Sequence, residues 1–334
     1  MSEISRRRLL AGTAAVAATA ATTAPSYAKA SVEPSLKGKS FLITGTSSGF
    51  GRLGALHYAR LGAKVFATMR NLPRPEAEEL EKIARDEKLD LHVLELDVLS
   101  DEQVTRAVAV AEGINGGPLD VLVNNAGINI AGPVEVQDME ATQLSFDTNV
   151  YGYLRMARAV LPGMRSRYSG LIVNVSSQQG RVIMPGGGIY SATKFAVESM
   201  CEQLAYEVVP FSIDVLIVEP GGFPTRIGEN RARYTGELYE RADERHKAGY
   251  PALVARMKPS DGPPRAWPGT PPDPMDVPKA IAEIAAMPNG TRPLRRAVHP
   301  GLKPQLEINR ICRETQLLWT SNKPFSEWVR AVYD

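Results

Sequence analysis

The sequence predicts an α/β protein built on a doubly wound parallel sheet in a single domain, and three observations carry that prediction. Short apolar runs recur from Lys39 onward: FLIT (41–44), VFAT (65–68), LHVLEL (91–96), VLVN (121–124), LIVNV (171–175) and VLIV (215–218). Continuous β-branched runs of this length mark strands buried on both faces, which is the condition of a parallel sheet. Between them lie stretches with helical character, near 50–61, 77–88, 101–113, 140–167 and 191–208, long enough to close right-handed crossovers. The chain has 334 residues, 43% of them hydrophobic, which suffices for one large core.

Taken in order, the first element is not part of the sheet. In SRRRLLAGTAAVAATAATTAPSYAKA the arginines Arg6, Arg7 and Arg8 precede a weakly apolar run from Leu9 to Ala24 and an Ala28/Ala30 ending. That order reads as a twin-arginine export signal over residues 1–30, with periplasmic or secreted delivery as the expectation. Residues 31–37 are then a short leader and 38–334 the domain. The run is rich in Ala and Thr and broken by Pro25, short of the ~20 strongly apolar residues of a spanning helix, so no stable membrane anchor is expected. After Ala30 the chain carries 35 basic and 36 acidic residues, a balance that offers nothing to nucleic acid. Cys201 and Cys312 read as buried free thiols, and the four histidines lack metal-ligand spacing, so no metal is expected.

The first strand ends in GTSSGFG, which fits two chemistries. As G-x-S-x-G it would be a hydrolase nucleophile elbow, with Ser47 raised on a strained turn and His246 or His299 as base. As a nucleotide loop, Gly45 makes the tight turn, Gly49 lets backbone approach a pyrophosphate and Gly51 lets the helix pack closely, with Ser47, Ser48 and Phe50 beside them. The turn follows the first strand of the domain, where a mononucleotide-binding half begins, whereas a hydrolase builds several strands before its elbow. The spelling TGTSSGFG resembles the T-G-x-x-x-G-x-G fingerprint of the short-chain dehydrogenase/reductase family, whose members have a Rossmann fold.

The second strand ends in FATMRN, where a nucleotide-binding sheet places its ribose reader. Met69 offers no carboxylate to the 2′-hydroxyl of NAD, while the Arg70 guanidinium suits a 2′-phosphate, with help from Ser47 and Ser48. The expectation is NADP(H) rather than NAD(H). After the third strand the resemblance implies an adenine contact at Asp97 and Val98, and NNAG (Asn124–Gly127) after the fourth has the family's spelling, which implicates Asn125, Ala126 and Gly127.

Chemistry is expected next. Tyr190 and Lys194, in YSATK, stand four apart and share a helix face. Ser177 precedes the tyrosine by 13 residues and Asn149 lies in FDTNVYG; in order these four match the family's Asn, Ser, Tyr and Lys. A phenol of pKa ~10 must fall by about 3 units to exchange protons at neutral pH, which takes about 4 kcal/mol. A cation at ~4 Å in an effective dielectric of ~20 supplies about that, so Lys194 is expected to acidify Tyr190. The resemblance further implies that Tyr190 exchanges a proton with a ketone, aldehyde or alcohol, that Ser177 orients the oxygen, that Lys194 binds the nicotinamide ribose and that Asn149 holds a water. The oxidoreductase reading stands against two others, the hydrolase and a nucleotide-binding protein without turnover.

The sixth strand leads to EPGGFPT, which resembles the family segment over the nicotinamide and implicates Pro220, Gly221 and Thr225. Residues 223–275 are read as an irregular, proline-rich insertion and a natural lid. Ile183, Met184 and the PGGG loop are expected to frame an apolar-leaning substrate pocket with it. A short helix in DVPKAIAEIAAM, an edge strand in LRRAV and a helix over 303–320 complete the chain. By resemblance, the helices near 140–167 and 191–208 would pair copies into a homodimer or homotetramer.

Overall fold

The computed structural model describes residues 34–259 and 269–333. The expected export signal and much of the proline-dense segment lie outside the described residues. Seven strands form one parallel sheet, β1 (Ser40–Thr44), β2 (Lys64–Met69), β3 (Leu91–Glu95), β4 (Val121–Asn124), β5 (Gly170–Val175), β6 (Ile213–Pro220) and β7 (Arg295–Val298), in the order β3-β2-β1-β4-β5-β6-β7. All six expected runs are strands, and the expected edge strand is β7. Direction of progression reverses at β1, which pairs with both β2 and β4, and the crevice beyond their carboxyl ends is where open α/β sheets bind ligands.

Period-two alternation sends neighbouring residues of each strand to opposite layers. Phe41 and Ile43 join Val65, Leu80 and Ile281 on the face covered by α1 (Gly49–Arg60), α2 (Pro75–Glu87) and a later helix. Leu42 joins Leu122, Met156 and Val197 on the other, under α3 (Asp101–Asn115), α5 (Gly152–Ser166) and α6 (Tyr190–Val208). The expected helix over 140–167 is interrupted. α4 (Met139–Phe146) and α5 are joined by a π-helical turn, Asp147–Tyr151. Asn149 sits in this turn, its carboxamide accepting from Ile128 N and donating to Ile128 O, both at 2.9 Å. Such turns inside helices favour functional positions.

The stretch expected to be irregular is largely helical where it is described: α7 (Ile227–Arg241), α8 (Glu244–Lys247) and α9 (Pro251–Val254). No proline occurs between Pro224 and Pro251, so nothing there prevents helix, and Leu238, Val254 and Met257 pack with Ile128 and Ile130 in a separate small core. The chain ends through α10 (Asp276–Ala286), β7, α11 (Gln305–Thr320) and α12 (Ser326–Tyr333). Among the described residues no helix is long and apolar enough to cross a membrane. Cys201 is buried and Cys312 only half-buried; both are free thiols.

Candidate active site

A cavity of about 630 Å³ opens at the carboxyl edge of the sheet, beside the β1/β4 reversal. Its floor is the glycine turn. Gly45 takes a φ of +72°, and a Cβ at Gly51 would stand 2.4 Å from Gly45 O and 2.5 Å from Asn125 Nδ2. Only glycine lets the start of α1 approach the turn this closely. The second half of the floor is fastened to the first: Thr44 Oγ1 accepts from the backbone N–H groups of Asn125 and Ala126 at 2.9 and 3.0 Å, and Asn125 Nδ2 donates to Thr44 O and Gly45 O. Ser48 caps α1 in extended conformation with no side-chain bond to the helix, leaving N–H groups of the first turn aimed at the cavity. Thr225 closes over this turn, its Cβ 3.4 Å from where a Gly49 Cβ would be, and Phe223 meets Phe50 edge-on at 5.4 Å.

At the β2 end, Met69 is buried and Arg70 lies at the rim, its Nη2 donating to the Tyr234 hydroxyl at 3.2 Å. Ser47, Asn71 and Arg74 line the same corner. Asp97 and Val98 line the cavity past β3; one Asp97 carboxylate oxygen accepts from Leu99 N at 3.0 Å and shapes the turn. Pro220 and Gly221 lie on the opposite wall, where Gly221 N donates to Val298 O.

Ser177, Tyr190 and Lys194 meet in the cavity, each at least nine-tenths buried. Ser177 follows β5, accepts from Gln179 N at 3.1 Å and neighbours the Tyr190 phenol, whose ionised form it favours. Lys194 Nζ stands 5.8 Å from the Tyr190 ring centre and donates to Val175 O at 2.8 Å, a carbonyl that also accepts from Tyr153 OH. Asn149 is fully buried behind them. It pairs with Ile128 and donates to Thr193 Oγ1 at 3.0 Å, and that hydroxyl in turn donates to Tyr190 O, so its side chain positions the α6 start.

The expected acidification of Tyr190 by Lys194 is not what the chain alone produces. Burial pushes the phenol above its ordinary value, opposed by the neighbouring Ser177 hydroxyl and by the positive charge of Arg231. The same burial pulls the Lys194 ammonium from 10.5 down to about 8. Desolvation penalises the charged form of both groups, and the nearest partner of the ammonium is the Val175 carbonyl rather than the phenolic oxygen.

Two other expectations need correction. His246 is held by Glu135 at 2.8 Å on the surface, and His299 packs on Phe223 and accepts from Gly301 N; neither lines the cavity with Ser47, so the hydrolase reading lacks its base. Ile183 and Met184 are 72% and 62% exposed and stay outside the cavity, whose nearby wall is instead α7 with Arg231 and Tyr234. Neither α7 residue is among the expected site residues, because the stretch 223–275 reads as an irregular insertion; the spacing of Ile227, Tyr234 and Leu238 is the helical signal it contains.

The residues present fit a dinucleotide. The glycine cradle leaves no room for a Cβ at Gly45 or Gly51, and among the described residues the helix start faces a lining with six cationic side chains and one carboxylate, while Asn129 Oδ1 is buried there without a partner.

Residues 39–235 match the family model described as short chain dehydrogenase. The chain is 39% identical over 206 residues to 3-ketodihydrosphingosine reductase of Bacteroides thetaiotaomicron, covering 60% of this chain and 71% of that protein. Several other curated relatives are matched over less than two thirds of their own length. A short-chain dehydrogenase from Streptomyces avermitilis is 30% identical, with a TM-score of 0.62 over 85% of this chain and 96% of that one. A gluconate 5-dehydrogenase from Burkholderia cenocepacia, solved with NADP and tartrate, is also 30% identical, with a TM-score of 0.55 over 62% and 81%. With its sheet order, its glycine turn and a family match over more than half its length, the chain belongs to the short-chain dehydrogenase/reductase family of oxidoreductases.

Proposed function

We propose that the protein is an NADP(H)-dependent oxidoreductase that interconverts a carbonyl compound and its alcohol at Tyr190. The observation that carries this reading is the meeting of Ser177, Tyr190 and Lys194 in the same cavity as the glycine turn. Reduced nicotinamide, when bound, supplies the hydride. Tyr190 gives its phenolic proton to the substrate oxygen in reduction and takes it back in oxidation. Burial raises the pKa of this phenol, which keeps its proton in place at neutral pH but makes it the weaker acid, so transfer draws on Ser177 and on the Arg231 charge, which favour the ionised form. Ser177 holds the substrate oxygen against the phenol, and Lys194, fixed on Val175 O, keeps a cation beside the proton that moves. Gly45, Ser47, Ser48, Gly49, Phe50 and Gly51 would hold the pyrophosphate, and Arg70 the 2′-phosphate.

Tyr190→Phe is expected to lower kcat by about 10²-fold or more while NADPH affinity changes little, as a general acid contributes 10²–10⁴-fold. Near-full turnover in that variant would overturn the assignment. Arg70→Ala is expected to weaken NADPH binding about tenfold or more and NADH binding little, measured by cofactor fluorescence, since a charge-assisted guanidinium contact is removed. Equal losses for both cofactors would refute the NADP(H) reading.

A further inference from the structure

Five arginines line the cavity, and their partners divide them. Arg74 and Arg226 share Glu76, at 2.9 and 3.2 Å, and Arg233 pairs with Glu237 at 3.0 Å. Among the described residues Arg70 and Arg231 have no carboxylate partner. Arg70, held by the neutral Tyr234 hydroxyl, is claimed by the nucleotide corner. Arg231 makes no hydrogen bond and no ion pair among the described residues, and the charged side chain nearest in effect is Arg256, which repels it. Loss of water and Arg256 together pull its guanidinium below the ordinary value, while its charge favours the ionised form of the Tyr190 phenol.

Arg231 is exposed at the cavity, and a guanidinium with a like charge acting on it and no carboxylate partner among the described residues is free to take an anion. The phosphates of a dinucleotide are provided for elsewhere, at the start of α1 and at Arg70. The field of Arg231 reaches the phenol that faces the substrate oxygen. A planar fork of N–H donors matches a carboxylate in two parallel hydrogen bonds, which a point charge does not.

We propose that Arg231 is the residue that selects the substrate, binding a carboxylate carried by the carbonyl compound, so that the substrate class is oxo acids and the corresponding hydroxy acids. The inference rests on the reading of Tyr190 as the proton donor to that carbonyl.

The test compares 4-oxopentanoate and longer oxo acids with their methyl esters, and with dihydroxyacetone phosphate, in the wild-type protein and in Arg231→Gln and Arg231→Lys. In the wild type, the acid should exceed its ester in kcat/KM by about tenfold or more, the worth of a charged hydrogen-bonded pair. Arg231→Gln should remove that preference by acting on the acid alone, Arg231→Lys should restore part of it, and NADPH affinity by fluorescence should stay within about twofold because no cofactor contact is assigned to Arg231. Binding of 4-hydroxypentanoate to the NADPH complex, a pair that cannot react, gives a readout independent of turnover and should weaken about tenfold in Arg231→Gln. Equal loss for acid and ester, an intact preference in Arg231→Gln, or dependence on Arg231 for the phosphate ester alone overturns the inference. Arg231-dependent binding of the hydroxy acid without turnover of any carbonyl keeps the inference and overturns the Tyr190 reading; turnover of acid and ester alike in both proteins does the reverse.

Discussion

Lys194 carries a titration that can be isolated by experiment. Its ammonium is buried among Val175, Tyr153 and Tyr190, and burial lowers its pKa from 10.5 to about 8. At pH 7 the folded and unfolded chains both hold this proton, and the folded one bears the cost of a buried cation, about 3 kcal/mol at 1.36 kcal/mol per tenfold change. As pH rises through 8 the folded chain releases the proton while the unfolded chain keeps it up to about 10.5. The unfolded state then binds more protons, so this group makes stability increase with pH, the reverse of a lysine that gains a counter-ion on folding. Between pH 7 and pH 9.5 the gain is about 2 kcal/mol. Lys194→Met has no such group, and the remaining titrations are largely common to both proteins. Urea unfolding of the two at pH 7 and pH 9.5 is expected to give a wild-type minus variant difference that is about 2 kcal/mol more favourable to the wild type at the higher pH. A difference that stays constant within about 0.5 kcal/mol would show that the ammonium is not desolvated as described.

Two substitutions test the architecture around this site. Gly51→Ala puts a methyl against Gly45 O and Asn125 Nδ2, neither of which can withdraw without opening the turn, and is expected to cost about 1–3 kcal/mol in urea unfolding together with NADPH affinity, whereas Gly113→Ala, with nothing within 4 Å in α3, should be neutral or stabilising; equal effects would refute the close approach. Arg295→Leu removes the guanidinium that donates to Glu198 at 2.9 Å and Glu202 at 2.5 Å and leaves buried Glu198 and Glu219 with Arg181 alone, at 3.8 and 3.7 Å; calorimetry or urea unfolding should register a loss of about 3–5 kcal/mol, and a loss under about 1 kcal/mol would mean that the cluster is wetter than its burial implies.

What the sequence made legible follows from the range of the interactions involved. Strands such as FLIT and VLIV are unbroken runs of large, mostly apolar residues rich in β-branched side chains because both faces are covered, and that burial is written in the residues themselves. Tyr190 and Lys194 share a helix face by spacing alone. The π-helical turn at Asn149 was not legible, because it accompanies pairing with a backbone 21 residues away. Nor was the partner of Lys194, a carbonyl at the end of another strand. The helix α7 was missed for a different reason. It buries only Thr235, Gly236 and Leu238, so its apolar pattern is thin, and the prolines that follow from Pro259 coloured the reading of the whole segment.

The uncompensated cations of the cavity tie these observations together. Arg70 leans on a neutral hydroxyl, Lys194 on a carbonyl, and Arg231 on nothing but a repelling neighbour. Among the described residues the cavity lining holds a single carboxylate; Lys194, the buried one of the three cations, costs stability in the chain alone, whereas Arg70 and Arg231 are exposed. A ligand that binds the folded state and removes the cost stabilises it by mass action. The three charges are spread over β2, α6 and α7, so one anion at the glycine turn cannot satisfy them all. That spread is the physical ground for reading a phosphorylated nucleotide at the glycine turn and Arg70 and an acidic substrate at Arg231.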